Sequence, residues 1–351
     1  MPDSPSSTPR FAVSGIDKWS ILAGVRFLLA SVVAVNHLGG YVPLGVMGFI
    51  PGFGPFEAIL GFLLISGYSI SVSYAKQPEG FLIRRMKRLY PVYLAAMAVT
   101  CVALLVTHEA QPQWWSLVLN ALFLNQLFTT TSFVGPAWSL SLEFWLYCLA
   151  PALLRMSSPR TRALVFGSFA CYVIYTPLRS LWHLPYYSGV GFGGNLALLS
   201  FAWIAGLRLA QAGASSASAM KDVRLLFVGH IVLGAAIQCM YRIKHHALAA
   251  FIRNDLLDYA MQALTLVFVW LVFARLVVAP RVSARRSWLL RFLGDVSYPL
   301  YLLHAPIYAL LQKAGLKMPI LYYLAAVGIS ALVYQALDFY SKERHQKIGT
   351  T

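Results

Sequence analysis

Apolar stretches of roughly 17 to 25 residues, each about the length that crosses a bilayer, follow one another along almost the whole chain. Ten are read, at residues 20–39, 52–74, 90–107, 138–155, 163–178, 193–210, 225–241, 257–275, 292–311 and 319–338. In lipid the backbone must satisfy its own polar groups, so segments of this kind are helices. Only 11% of residues are charged and 59% are hydrophobic, where a soluble domain carries roughly 25% charge. A soluble fold of 351 residues built this way would lack the polar surface to cover its core. A cytosolic enzyme, a secreted disulfide scaffold and a disordered chain are therefore excluded. The expected fold class is all-α: a polytopic transmembrane helical bundle of about ten spans. It forms one membrane domain, 19–340, between polar tails at 1–18 and 341–351.

The basic residues orient the bundle. With both termini placed in the cytoplasm, the inside segments hold 21 of the 28 Lys and Arg, and the outside segments hold six. Arg26 lies within a span. No Lys or Arg occurs between Arg88 and Arg155, which marks 108–137 as external. This asymmetry supports an N-in, C-in topology. It also makes the short apolar segment 114–128 an interfacial or re-entrant helix, because an eleventh span would invert everything after it. The net charge of +16 is thus topological and not a nucleic-acid signal. Residues 1–18 lack a basic n-region, so the first apolar segment is expected to be retained. Cys101, Cys148, Cys171 and Cys239 lie in apolar stretches without metal-ligand spacing, and no metal is called for.

Several polar residues sit where a bilayer is expensive. Arg26 and His37 are 11 residues apart in the first span, three helical turns plus about 20°, so they share a face with a rise of about 16 Å. A buried Arg costs at least ~2.5 kcal/mol and needs a partner or a wet cavity. His37 alone reads equally well as an interfacial residue capping the outer end of the span. Glu143 follows Ser139 by one turn near the outer end of the fourth span, where a carboxylate is favoured by the helix dipole. Ser297, Tyr301 and His304 form a stripe on the ninth span, as in a helix–helix hydrogen-bond seam. After the second span comes GFLIRRMKRLYP, read as a loop, with Arg84, Arg85, Lys87 and Arg88. The cluster anchors the membrane surface, and its arginine forks also suit the phosphates of a cytoplasmic cofactor.

Taken in order, these segments resemble the integral-membrane acyltransferase-3 family, whose members O-acylate sugars of bacterial surface and exported glycans. Arg26…His37 fits the family's R-x10-H pattern, and GFLLISGYSIS (61–71) resembles FFxxSGF. The stretch 81–91 fits FxxxRxxRxxP with Arg85 and Arg88 in place. WSLSLEFWLY (138–147) is close to W-S-L-x-x-E-x-x-x-Y, and LGDVSYPLYLLH (293–304) to S-Y-x-x-Y-L-x-H. The chain departs from the family at Ala23, where an Asp is common; Glu57 in the next helix is the carboxylate expected to replace it. The family's basic–acidic–Pro ending is only echoed, at Ser341–His345.

The resemblance implies an acyltransferase of a bacterial inner (cell) membrane. It would move an acyl group, acetyl by family default, from cytoplasmic acetyl-CoA to a hydroxyl of a glycan or lipid-linked sugar. His37, Arg26 and Glu143 are implied as catalytic: His37 as general base or covalent acyl carrier, Arg26 and Glu143 orienting it or stabilising charge. Arg85, Lys87, Arg88 and Tyr90 would bind the acyl-CoA, and Ser139, Ser297, Tyr301 and His304 the substrate. The rival reading is a proton-coupled transporter or flippase, which intramembrane Arg, His and Glu also suit. Its expected two-fold repeat with paired broken helices is not visible in the sequence.

Overall fold

The computed structural model describes residues 18–110, 112–213, 216–275 and 283–339. Lys18 apart, the tails at 1–18 and 341–351, and with them Ser341–His345, lie outside the described residues. Within them all regular structure is helical: α1 Lys18–Leu38, α2 Pro55–Lys76, α3 Phe81–Thr107, α4 Trp114–Ala121, α5 Asn125–Phe128, α6 Trp138–Arg155 and α7 Ser158–Trp182. There follow α8 Gly194–Ala212, α9 Ala217–Lys244, α10 Leu248–Ala250, α11 Leu256–Arg275, α12 Ala284–Lys313 and α13 Pro319–Val333. A π-turn at Phe251–Asp255 fuses α10 to α11.

Among the described residues nine helices are long and apolar enough to cross a membrane. The tenth expected span is α12, whose 30 residues reach about 45 Å. It is less apolar because its middle carries Ser297, Tyr301 and His304, and it lies against α1, α3 and α13 in the bundle. Such a helix is stable in lipid because its neighbours bury its polar face.

Most helices outrun the apolar stretches that predicted them, because their first and last turns continue into the polar interface. The difference matters at α3, which begins at Phe81 and not near residue 90. Gly80, at φ 61°, permits the tight reversal from α2, and Phe81 is buried with its ring against Tyr74. The basic cluster is thus the first two turns of a helix, not a loop.

Two close crossings fix the bundle. At the α2–α8 crossing a Cβ on Gly67 would overlap the Trp203 carbonyl, and one on Gly206 the Leu64 carbonyl. Small residues let the backbones meet, as membrane helices require when lipid supplies no hydrophobic drive. At the α1–α12 crossing Gly294 meets Ala23 in the same way, so the position where the family often has Asp is here a packing contact.

The segment 114–128 is re-entrant. Its helices have eight and four residues, too few to cross. Yet the Tyr90 hydroxyl donates to the Ala121 carbonyl (2.5 Å) and Tyr93 to the Asn120 carbonyl (2.9 Å). Both tyrosines lie in the first half of α3, so the segment dips from the Thr107 end to mid-depth and returns to start α6. Irregular backbone at that depth is tolerated only when protein satisfies it. Asn120 donates to the Ser116 and Thr131 carbonyls and accepts from the Phe133 amide. Asn125 accepts from Ser141, Gln126 from Asn195, and Trp145 donates to the Phe123 carbonyl.

Candidate active site

Helices α1, α2, α3, α6 and α12 enclose a cavity of about 130 Å³, room for several waters. Arg85 and Arg88 line it towards the Lys18 end of the bundle, and Ser139 and Tyr301 close it at the other. Arg26, Ser66, Ser69, Glu143 and Tyr147 lie between, with Ser297 and Tyr298 along α12. A guanidinium in a span requires a polar cavity of this kind. Arg26 Nη2 donates to Ser69 Oγ (2.7 Å), which donates on to the Ile65 carbonyl (2.7 Å). Among the described residues no carboxylate lies within ion-pair distance of Arg26.

Glu143, the one carboxylate on the cavity wall, accepts hydrogen bonds from Ser66 and from Tyr147 (2.5 Å). Trp203 donates to the same Ser66 hydroxyl (3.2 Å). Three guanidinium groups against one lining carboxylate make the chamber cationic, which favours an anionic ligand. Arg88 is 3.6 Å from Asp295, and Arg85 lies over the Phe81 ring at 5.7 Å.

His37 and His304 do not line this cavity. They form a pair of their own: His37 Nδ1 is 2.8 Å from His304 Nε2, with the rings stacked 5.1 Å apart. His304 is fully buried and its Nδ1 lies 2.9 Å from the Leu300 carbonyl, whereas His37 is half-buried. Tyr301 stands between pair and cavity. Its hydroxyl bonds Ser139 Oγ (2.7 Å) and the Pro136 carbonyl (3.0 Å), and its ring is 6.4 Å from His304.

The expected residues thus separate into groups. Arg26, Glu143, Arg85, Arg88, Ser139, Ser297 and Tyr301 converge on the cavity. The expectation that Arg26 or Glu143 orients His37 meets a different geometry, since the rise along α1 keeps Arg26 too far away and the partner of His37 is His304. Lys87 is exposed and off the cavity, because two residues of helix turn it about 200° from Arg85. Arg84 caps α2 by donating to the Gln77 and Glu79 carbonyls, and the hydroxyl of Tyr90 is committed to the re-entrant segment. Glu57 does not stand in for an Asp beside Arg26. It pairs with His230 (2.8 Å), which bonds Tyr172 (2.7 Å), in a cluster of α2, α7 and α9. Sequence reasoning missed Ser66, Ser69, Tyr147 and Tyr298. All four lie inside the quoted stretches, and Tyr147 follows Glu143 by one turn.

The acyltransferase-3 family model, described as an acyltransferase domain, matches residues 19–337. A protein of Acidianus two-tailed virus, provisionally named an acetyltransferase, is 25% identical over 312 residues, covering 85% of this chain and 86% of its own. No solved structure gives a significant match.

Proposed function

The chain belongs to the acyltransferase-3 family of membrane acyltransferases, and from that premise we propose that it transfers an acyl group across the bundle from acyl-CoA to a glycan hydroxyl. The observation that carries this reading is the order of groups along one axis. Two arginines open a cationic cavity at one end, and a histidine pair lies just beyond the tyrosine that closes it. Acyl-CoA, acetyl-CoA by family precedent, docks from the cytoplasm with its phosphates on Arg85 and Arg88, whose forks match phosphate oxygens. The thioester passes Arg26 and Glu143 to reach Tyr301. His37 removes the proton of a sugar hydroxyl arriving from the outer face as its oxygen attacks the thioester carbonyl. The carbon–sulfur bond then breaks, and the CoA thiolate recovers the proton. A bacterial cell membrane and a surface or exported glycan fit this vectorial chemistry.

A transporter would also use intramembrane charges, but the family match over 19–337 and the opening lined by Arg85 and Arg88 favour acyl transfer. The test is CoA release by purified protein in detergent, wild type beside His37→Ala, with and without a glycan extract. Release that depends on both glycan and His37 is expected. Full activity of the variant would remove His37 from the chemistry, and no acetyl-CoA binding by folded protein would return the transporter.

A further inference from the structure

Which nitrogen of His37 can act as a base is decided by its neighbours. A carbonyl oxygen only accepts hydrogen bonds, so the 2.9 Å contact of His304 Nδ1 with the Leu300 carbonyl requires a proton on that nitrogen. In a neutral ring His304 Nε2 is then a bare acceptor. The 2.8 Å contact with His37 Nδ1 must therefore be donated by His37. A neutral His37 is left with its proton on Nδ1 and its lone pair on Nε2. Among the described residues no protein group bonds that Nε2, and the half-buried ring leaves it accessible.

We propose that His304 is the positioning residue of the reaction: it holds His37 in the Nδ1–H tautomer and makes Nε2 the basic atom. This rests on the acyl-transfer reading above. Free imidazole samples both tautomers and turns about its χ angles; here a fully buried partner, flanked by Tyr301 and Tyr308, fixes both. When Nε2 takes the hydroxyl proton, the imidazolium charge on His37 is met by the lone pair of His304 Nε2. That partner is neutral, where a serine-protease triad uses a carboxylate. Protons balance, since the one taken from the acceptor hydroxyl leaves with the CoA thiol and His304 keeps its own throughout. The substrate-binding role that the sequence suggested for His304 gives way to this one, because its ring has no face open to a ligand.

Two variants and one spectrum test it. His304→Leu removes the acceptor, and kcat is expected to fall at least about 10-fold, short of the roughly 10⁴-fold lost when a triad histidine loses its orienting carboxylate, because the partner here is neutral. The KM for acetyl-CoA should stay within about twofold. His304→Gln offers an amide oxygen at similar reach, and most of the loss should be recovered. In wild-type protein labelled with 15N-histidine, the His37 signals, identified by their absence from His37→Ala, should show a protonated Nδ1 and a bare Nε2. Wild-type kcat in His304→Leu, a His304→Gln as slow as His304→Leu, or an Nε2–H signature at His37 would each overturn the assignment. If His304→Leu does not fold, His304→Gln and the spectrum decide. The spectrum does not depend on turnover, so a failure of the acyl-transfer reading, seen as an active His37→Ala, is told apart from a failure of this one.

Discussion

Glu143 is the carboxylate that faces three cavity arginines without an ion pair to Arg26, its oxygen held by Ser66 and Tyr147. On the proposed mechanism its part is therefore field and position rather than proton transfer. In Glu143→Gln the amide oxygen can still accept from Tyr147, so the fold should survive while the negative charge is lost. We expect kcat to fall about 10- to 100-fold with the acyl-CoA KM unchanged or lower, since the chamber becomes more cationic. Steady-state CoA release checks this, and an unchanged kcat would reduce Glu143 to a bracket for two hydroxyls. At this scale the sequence was half legible. Arg26, Glu143 and the cavity pair Arg85 and Arg88 announce themselves as charges in or beside apolar helices. The His37–His304 contact does not, because it joins residues 267 apart in the chain and no local pattern encodes such a meeting. Lys87 groups with its neighbours only if the segment is read as a loop; once it is the start of α3, helical spacing turns Lys87 away from Arg85.

At the scale of elements, the re-entrant segment shows how a short apolar run becomes a deep one. Its length ruled out a span and the charge asymmetry ruled out an inversion, both readable in advance. Its depth was not readable, since it depends on Tyr90 and Tyr93 in another helix and on amides that satisfy its backbone. Asn120 serves two carbonyls and one amide. Asn120→Leu should leave the Thr131 carbonyl and the Phe133 amide without their side-chain partner, at up to about 1–3 kcal/mol each, while the Ser116 carbonyl keeps its bond within α4. A lower melting temperature in detergent and weaker expression are expected, while Asn120→Asp, which keeps an acceptor for Phe133, should fare better. Equal stability of the leucine variant would mean that water reaches the segment and that the asparagine is dispensable. The early start of α3 is a second case: apolar periodicity weakens where arginines begin, although Phe81 and Gly80 already specify the turn.

For the whole molecule, successive crossing helices alternate, so the starts of α1, α3, α7, α9 and α12 share one end with the ends of α2, α6, α8, α11 and α13. Asp295 ties that end together, contacting Arg88 of α3 and receiving the Tyr334 hydroxyl from beyond α13. The basic residues gather at this end, and by the positive-inside rule it is expected to be cytoplasmic. Vectorial transfer depends on that assignment, because the arginine opening must meet acyl-CoA while His37 meets an exported acceptor. A cysteine-free background carrying Cys at Lys87, exposed at the start of α3, or at Gln113, exposed before α4, tests it with a maleimide that cannot cross membranes. In intact spheroplasts Gln113→Cys should label, and Lys87→Cys should label only after permeabilisation. The reverse pattern would put the arginine opening outside, where no CoA pool exists, and would end the acyl-CoA mechanism whatever the purified protein does in detergent. Labelling of both from outside would instead mean an open path through the bundle, which the Tyr301–Ser139 contact at the end of the cavity argues against.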